Sequence, residues 1–455
     1  MALSHTWGPF ANILTTTQRT IEQRKQRISL ASLPANFRDA VEVAQAFHVR
    51  HLWIDSLCIV QDSDVDWASE SARMHLIYAS AYFTIAATRA TTATDGFLQH
   101  RLRKDIAALL YTDEARNQTA EFNLSIREGH WLGSDHDTYV EDSTWNQRGW
   151  TLQERILSRR VLHFTYSMLY FECRSSDWME DNRPSRASLN RTPWLGSSAG
   201  GWYDDRHLES PTKSLYDSWY LILEHYSQRS LTETDDKLPA LSGVAHEMAR
   251  LSGDTYIAGL WKNDLSASLL WNPVGIQSRP ARTYRSPSWS WAQIDGHIQT
   301  DDRLKGHPEH VRRCFTLVET VVQPDGQDDM GRVRYGHLVM RARLERVTEI
   351  RPRAEDYGRG GRFTHSVYKD KTFICIGRLD VCTEMLRQDD LWALLVAEEA
   401  NPAVLEGLLL EGGNAARQSF RRIGTFHISI HPDPNEQVER SDFFESTAER
   451  EICLL

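Results

Sequence analysis

The chain opens on ALSHTWG (2–8), an apolar start that runs into Gly8, which predicts a short strand and a loop. Residues 9–32 are polar and rich in Thr, Gln and Arg, with a helix expected near 16–28. In LPANFRDAVEVAQAFHV, Phe37, Val41, Ala44 and His48 fall on one stripe, which predicts a helix with Asn36 as its cap. HLWID (51–55) then reads as a buried strand ending at Asp55. The clearest helical signal follows: Trp67, Ser71, Met74, Tyr78 and Ala81 step by 4, 3, 4 and 3 and so share a face. Asp64 or Asp66 suits the positive end of that helix. YFTIAAT (82–88) is the next strand. WNQRGWTLQERILSRRVLHF (145–164) gives a further helix and a strand at 161–164, and SMLYFECRS (167–175) extends the β pattern as a hairpin. Helices and strands alternating at these lengths imply βαβ crossovers and a parallel sheet, hence an α/β domain.

The pattern then changes. Residues 99–143 have mixed polarity and read as an insertion, and 176–212, rich in Ser, Arg, Pro, Gly and Asn, as a linker or surface loop. Helices are expected over 213–228 and 237–253, the second with Leu238, Leu241, Val244, Ala245 and Met248 on one side. From about 255 onward SPSWSWAQIDG, HLVMRARLERV, TFICIGRLDV, LWALLVAEE and FRRIGTFHISI read as short strands between polar loops. The expected organisation is an α/β domain over 1–175, the linker, and a helical, mainly antiparallel β region over 213–455. RPRAEDYGRGGR (351–362) is basic, but a solvated loop suits it better than an RNA-binding arm.

Composition narrows the classes. The 455 residues are 25% charged and 41% hydrophobic, as in ordinary globular proteins. A net charge of -10 argues against nucleic acid and anionic membranes as partners, since phosphate binding needs a basic surface. No apolar run approaches the roughly 20 residues of a membrane helix, and MALSHTWGPF has no signal-peptide pattern. Cysteines 58, 173, 314, 375, 382 and 453 form no CxxC and no zinc spacing, and so read as reduced thiols of a cytoplasmic protein. The 15 tryptophans point to large buried anchors.

Several constellations carry candidate chemistry. DSDVDW mimics a calcium loop, but Trp67 and Arg73 stand where Gly and Glu are required, so the acids are assigned to the helix start. There is no GxGxxG, no P-loop, no HExxH and no GxSxG. Asp55 ends a strand at the carboxyl edge of the expected sheet, where ligands bind; it could hold a ribose hydroxyl or cap the following turn. Cys58 as a nucleophile lacks an assured base and reads better as a small buried side chain. Gln61 suits a ligand and the backbone equally. Ser158 reads as a hydrogen-bonding residue at a helix end. Glu154, four residues after Trp150, is either a solvated helix face or a catalytic acid whose pKa is raised beside an indole. Arg148 and Arg155 are near enough in sequence to pair with it.

ALSHTWG, the long run from LPANF to TIAAT, and WNQRGWTLQERILSRRVLHF together resemble the fungal heterokaryon-incompatibility (HET) domain, in the family's order and over roughly 1–175. DKLPALSGVA, AGLW and SPSWSWA resemble the region that accompanies it. The resemblance implies a self/non-self recognition or cell-death effector. HET domains are in turn similar to TIR domains, which have a flavodoxin-like parallel sheet. LSHTWG resembles the first TIR strand and loop, LWID the second strand, and RGWTLQE the W-C-x-x-E helix, with Trp150 at the tryptophan, Thr151 replacing the cysteine and Glu154 at the acid. That likeness implies Glu154 as catalytic and NAD as substrate, with no other cofactor. Ser4, Trp7, Gly8, Asp55, Cys58, Gln61, Arg148 and Trp150 would then line the substrate site. The alternative it implies is a non-catalytic module that self-associates or binds other signalling proteins. HET domains usually have sequence before the first motif, so the first strand is expected to be truncated here.

Overall fold

The computed structural model describes residues 1–9, 13–99, 106–113, 118–125, 137–173, 176–180, 211–275, 278–300, 311–353, 364–381, 390–400, 403–413, 418–429 and 441–455. The chain divides into two compact units, the second taking in the residues from 211 onward.

The first unit is built on six strands. They are β1 (Ala2–Ser4), β2 (Trp53–Ile54), β3 (Thr84–Ala86), β4 (Arg160–Phe164), β5 (Leu169–Cys173) and β6 (Asp177–Met179). Their spatial order is β2-β1-β3-β4-β5-β6. The first four run parallel, with Leu3 opposite Ile54 on one side and Ile85 on the other. β5 and β6 are antiparallel additions, the expected hairpin among them. The expected parallel sheet is therefore a mixed one. Three main helices connect its parallel strands: α1 (Ala35–Ala46), α2 (Asp64–Ser80) and α3 (Gly149–Leu157).

Alternation along β1 sorts its side chains. Leu3 joins Phe37 of α1, Ile54, Ile85 and Phe164 in one core cluster. Ala2 joins Met74 and Tyr78 of α2 in another. Burying a side chain the size of Phe37 contributes about 1.5–3 kcal/mol. α2 begins as its acids suggest. Ser63 is the cap and accepts from the Asp66 amide, while Asp64 and Asp66 lie in the first turn. Asp62 and Asp66 accept backbone hydrogen bonds from Gln18 and Val60, which suits local structure rather than a calcium loop.

Three expectations need correction. α1 starts two residues early, after Pro34, so Asn36 is not its cap. Asn36 is buried, and its amide joins the Thr92 carbonyl and the Gly96 N–H. The strand of HLWID shrinks to Trp53–Ile54, because Asp55 already starts a helical turn, Asp55–Cys58. SPSWSWAQIDG is mostly not a strand. Ser290 caps a short helical turn at Trp291–Gln293, and only Ile294–Asp295 pairs in a sheet.

Part of the 99–143 stretch is a two-stranded hairpin, Ile106–Asp113 with Gln118–Ser125. Most of 176–212 and of 351–362, and Cys382, lie outside the described residues. The other five cysteines form no disulfide.

The second unit begins with α4 (Pro211–Ser227) and α5 (Pro239–Ser252). The predicted stripe of α5 is buried, and Gly253 ends the helix at φ 69°. A ten-stranded, mainly antiparallel sheet follows. Five of its strands are β7 (Val333–Val347), β8 (Leu391–Ala400), β9 (Ala403–Gly412), β10 (Ser419–Ser429) and β11 (Glu449–Leu454). Their pairings close on themselves: β7 to β8, β8 to β9, β9 to β10, β10 to β11 and β11 back to β7. The β10–β11 contact is parallel and the other four are antiparallel.

Candidate functional site

Three segments meet at the carboxyl ends of β1 and β2. β1 runs from Ser4 into the loop His5–Gly8, β2 delivers Asp55, and α3 carries Glu154. The chain leaves β1 toward β2 on one side and leaves β3 toward β4 on the other, so the switch point lies between β1 and β3, beside Ser4; open α/β sheets form their ligand crevices at such a point.

Glu154 does not face solvent. It is 3% exposed, which overturns the solvated-helix reading. The Ser4 hydroxyl donates to Glu154 Oε2, and the Tyr78 hydroxyl, which donates to the Leu3 carbonyl at 3.4 Å, lies near enough to help pull this carboxyl down. Trp145 Nε1 donates to Ser4 Oγ at 2.7 Å. An indole N–H can only donate, so Ser4 accepts from Trp145 and turns its single proton toward Glu154. Burial pushes the Glu154 carboxyl up to about 7. The Arg148 guanidinium and the Ser4 hydroxyl pull it down, and the Asp55 charge raises it again.

Asp55 is fixed from three sides. Trp7 Nε1 donates to Oδ2 at 2.8 Å, the Ser56 amide donates to Oδ1 at 2.7 Å, and His5 Nδ1 lies 4.0 Å from Oδ1. Asp55 therefore holds the following turn and the Trp7 indole, and its side chain stays 16% exposed. Arg148 donates to the His5 carbonyl. His5 is buried, which pulls its imidazole down to about 4 and leaves it neutral at physiological pH. Gly8, at φ 72°, lets the loop turn back; a Cβ there would stand 2.7 Å from that of Thr92.

The remaining candidates sort as follows. Gln61 braces the backbone, with Nε2 donating to the Asp55 and Ile59 carbonyls. Cys58 is exposed, not buried as expected, because it ends the short Asp55–Cys58 turn. Protein crowding its sulfur nevertheless raises the thiol pKa, with Asp55 and Glu70 adding to the effect. Trp150 packs edge to face on Trp67 with centroids 6.4 Å apart, beside Met74 and Tyr78. Arg155 is not the partner of Glu154: it binds Glu172 with two nitrogens, at 2.9 and 2.6 Å, and Glu141 at 2.8 Å. Ser158 caps α3, donating to the Glu154 carbonyl at 2.6 Å.

The structure thus brings Ser4, Trp7, Asp55, Arg148 and Glu154 together, and it adds His5, Tyr78 and Trp145, which the sequence did not single out. His5 and Trp145 lie inside the motifs already quoted. Tyr78 lies on the buried stripe of α2, where its ring hides the role of its hydroxyl.

Residues 1–154 match the family model of the heterokaryon incompatibility protein (HET), in agreement with the motif resemblance. No curated protein and no solved structure matches the chain.

Proposed function

We propose that this chain is an incompatibility-type effector of a filamentous fungus, and that its first unit cleaves the nicotinamide–ribose bond of NAD in the cytoplasm. The HET match supports the effector reading. One observation carries the catalytic reading: a buried carboxyl with a pKa of about 7 sits with Asp55 and Arg148 at the carboxyl ends of parallel strands. The order β2-β1-β3-β4 of the parallel strands supports a flavodoxin-like, TIR-related origin, while the antiparallel β5 departs from it.

In this mechanism nicotinamide leaves with the electrons of the C1′–N bond. Ionised Glu154 stabilises the oxocarbenium-like centre left behind. Water then adds its hydroxide to C1′ and releases a proton. Burial makes that single charge effective, because the surrounding dielectric is low. Arg148 and the Ser4 hydroxyl keep part of the Glu154 population ionised near neutrality.

A second reading rests on a different observation. Glu154 is only 3% exposed and its carboxyl accepts from Ser4, as suits a residue that holds β1 and α3 together in a non-catalytic signalling module. Incubating the full chain with NAD distinguishes the two. The catalytic reading expects Glu154→Ala to lose about 100- to 1000-fold in turnover while remaining folded. Equal turnover in both proteins removes Glu154 from the mechanism, and no turnover in the parent favours the signalling module.

A further inference from the structure

His5 is the least satisfied polar side chain of the site. It is 2% exposed, and neither ring nitrogen has a hydrogen-bond partner among the described residues. Buried polar groups in folded proteins are paired as a rule, so each unpaired nitrogen is costly. The ring is nonetheless firmly placed. Phe37 packs edge-on with centroids 5.1 Å apart, and Arg148 grips the carbonyl of the same residue.

The gap between His5 Nδ1 and Asp55 Oδ1, 4.0 Å, is too long for a direct hydrogen bond. It is the span of one oxygen atom placed about 2.8 Å from each. Asp55 Oδ1 already accepts from the Ser56 amide, and a carboxylate oxygen can take one more donor. The neighbouring carboxylate favours the imidazole tautomer with its proton on Nδ1. The bridging atom must then both donate, to Asp55, and accept, from His5. A carbonyl only accepts and an ammonium only donates; a hydroxyl does both. Asp55, with a side chain 16% exposed, is the open side of the gap, and His5, at 0%, is the closed side.

We infer that His5 and Asp55 together read one hydroxyl of a sugar ring, that of the ribose next to the bond at which Glu154 acts. The hydroxyl donates to Asp55 Oδ1 and accepts from His5 Nδ1. The assignment rests on reading the site as a nucleotide site, but it concerns binding and not turnover. His5 is a specificity residue here, selecting a hydroxylated over a deoxygenated ring.

The test uses the full chain carrying Glu154→Gln, so that bound NAD is not consumed. Calorimetry compares NAD with analogues lacking the 2′- or the 3′-hydroxyl of the nicotinamide ribose. One analogue is expected to bind about tenfold more weakly than NAD, the cost of one lost hydrogen bond. Adding His5→Phe, which keeps a ring against Phe37, removes that discrimination. Adding His5→Asn, whose amide reaches the position of Nδ1, restores part of it. In protein labelled with ¹⁵N-histidine, the His5 Nδ1 resonance shifts on adding NAD and not on adding the discriminated analogue, a readout that needs no variant at this position. Equal binding of all three ligands, unchanged discrimination in His5→Phe, or no binding of NAD overturns the assignment. Binding with His5-dependent discrimination but no turnover in the parent chain overturns the catalytic reading and leaves this one standing.

Discussion

At the scale of single residues, Glu154 ties stability to pH. Its carboxyl titrates near 7 in the folded chain against an ordinary value of 4.5, so the folded state holds the proton more tightly. The stabilisation is complete below about pH 4.5 and is lost as pH rises through about 7. Hydrogen exchange of the β1 and α3 amides should therefore show local stability falling between pH 5 and pH 8, by roughly 3 kcal/mol at most. Glu154→Gln should flatten that slope, and an unchanged slope would assign it to another group. The sequence carried half of this. The spacing of Trp150 and Glu154 put an acid on a helix, but a helix alone does not say what covers each of its faces. Its cover comes from Ser4, which lies 150 residues earlier. For the same reason Arg155 and Arg148 looked alike in sequence. The fold sends one to two carboxylates and the other to the His5 carbonyl.

At the scale of elements, α3 is fastened to the sheet by charge as well as by apolar packing. Arg155 spans from the helix to Glu172 of β5 and to Glu141 before the helix, and His163 of β4 lies 3.1 Å from the same Glu172. Arg155→Met would leave Glu172, 2% exposed, as a buried charge without its guanidinium. Removing one member of such a pair costs about 3–5 kcal/mol, readable by urea denaturation. Adding Glu172→Gln should recover part of that loss; no recovery would mean that packing, not charge, holds the helix. Element types were legible wherever periodicity ran long, as in α2 and α5. The short strands were not, because two or three residues of pairing leave no period: β2 is only Trp53–Ile54. The β9 and β11 strands were missed, since LEGLLLEG and EREICL do not alternate cleanly between apolar and polar.

At the scale of the whole molecule, the division into an α/β unit and a mainly antiparallel one was legible from the change of pattern past residue 255. The closure of β7 through β11 was not, because sequence shows strands and not their partners. Within the second unit Arg422 is a keystone. It pairs with Asp380 at 2.9 Å, donates to the Leu269 and Trp271 carbonyls, and lies 3.5 Å over the Trp271 ring. Arg422→Ala strands a buried Asp380 and two carbonyls, and should cost about 3–5 kcal/mol in urea unfolding of the chain. A loss under about 1 kcal/mol would show that the carboxylate simply takes up a proton instead. Among the described residues no helix is long and apolar enough to cross a membrane. The ring of five strands has a consequence during synthesis. Its closing strand, β11, is the last to leave the ribosome, yet it sits between β7, made over a hundred residues earlier, and β10. At about 5–20 residues per second, β7 waits some seconds with one edge unpaired, a template for a neighbouring nascent chain. The four parallel strands of the first unit are all made by Phe164, so the catalytic candidate can assemble while the ring is still open.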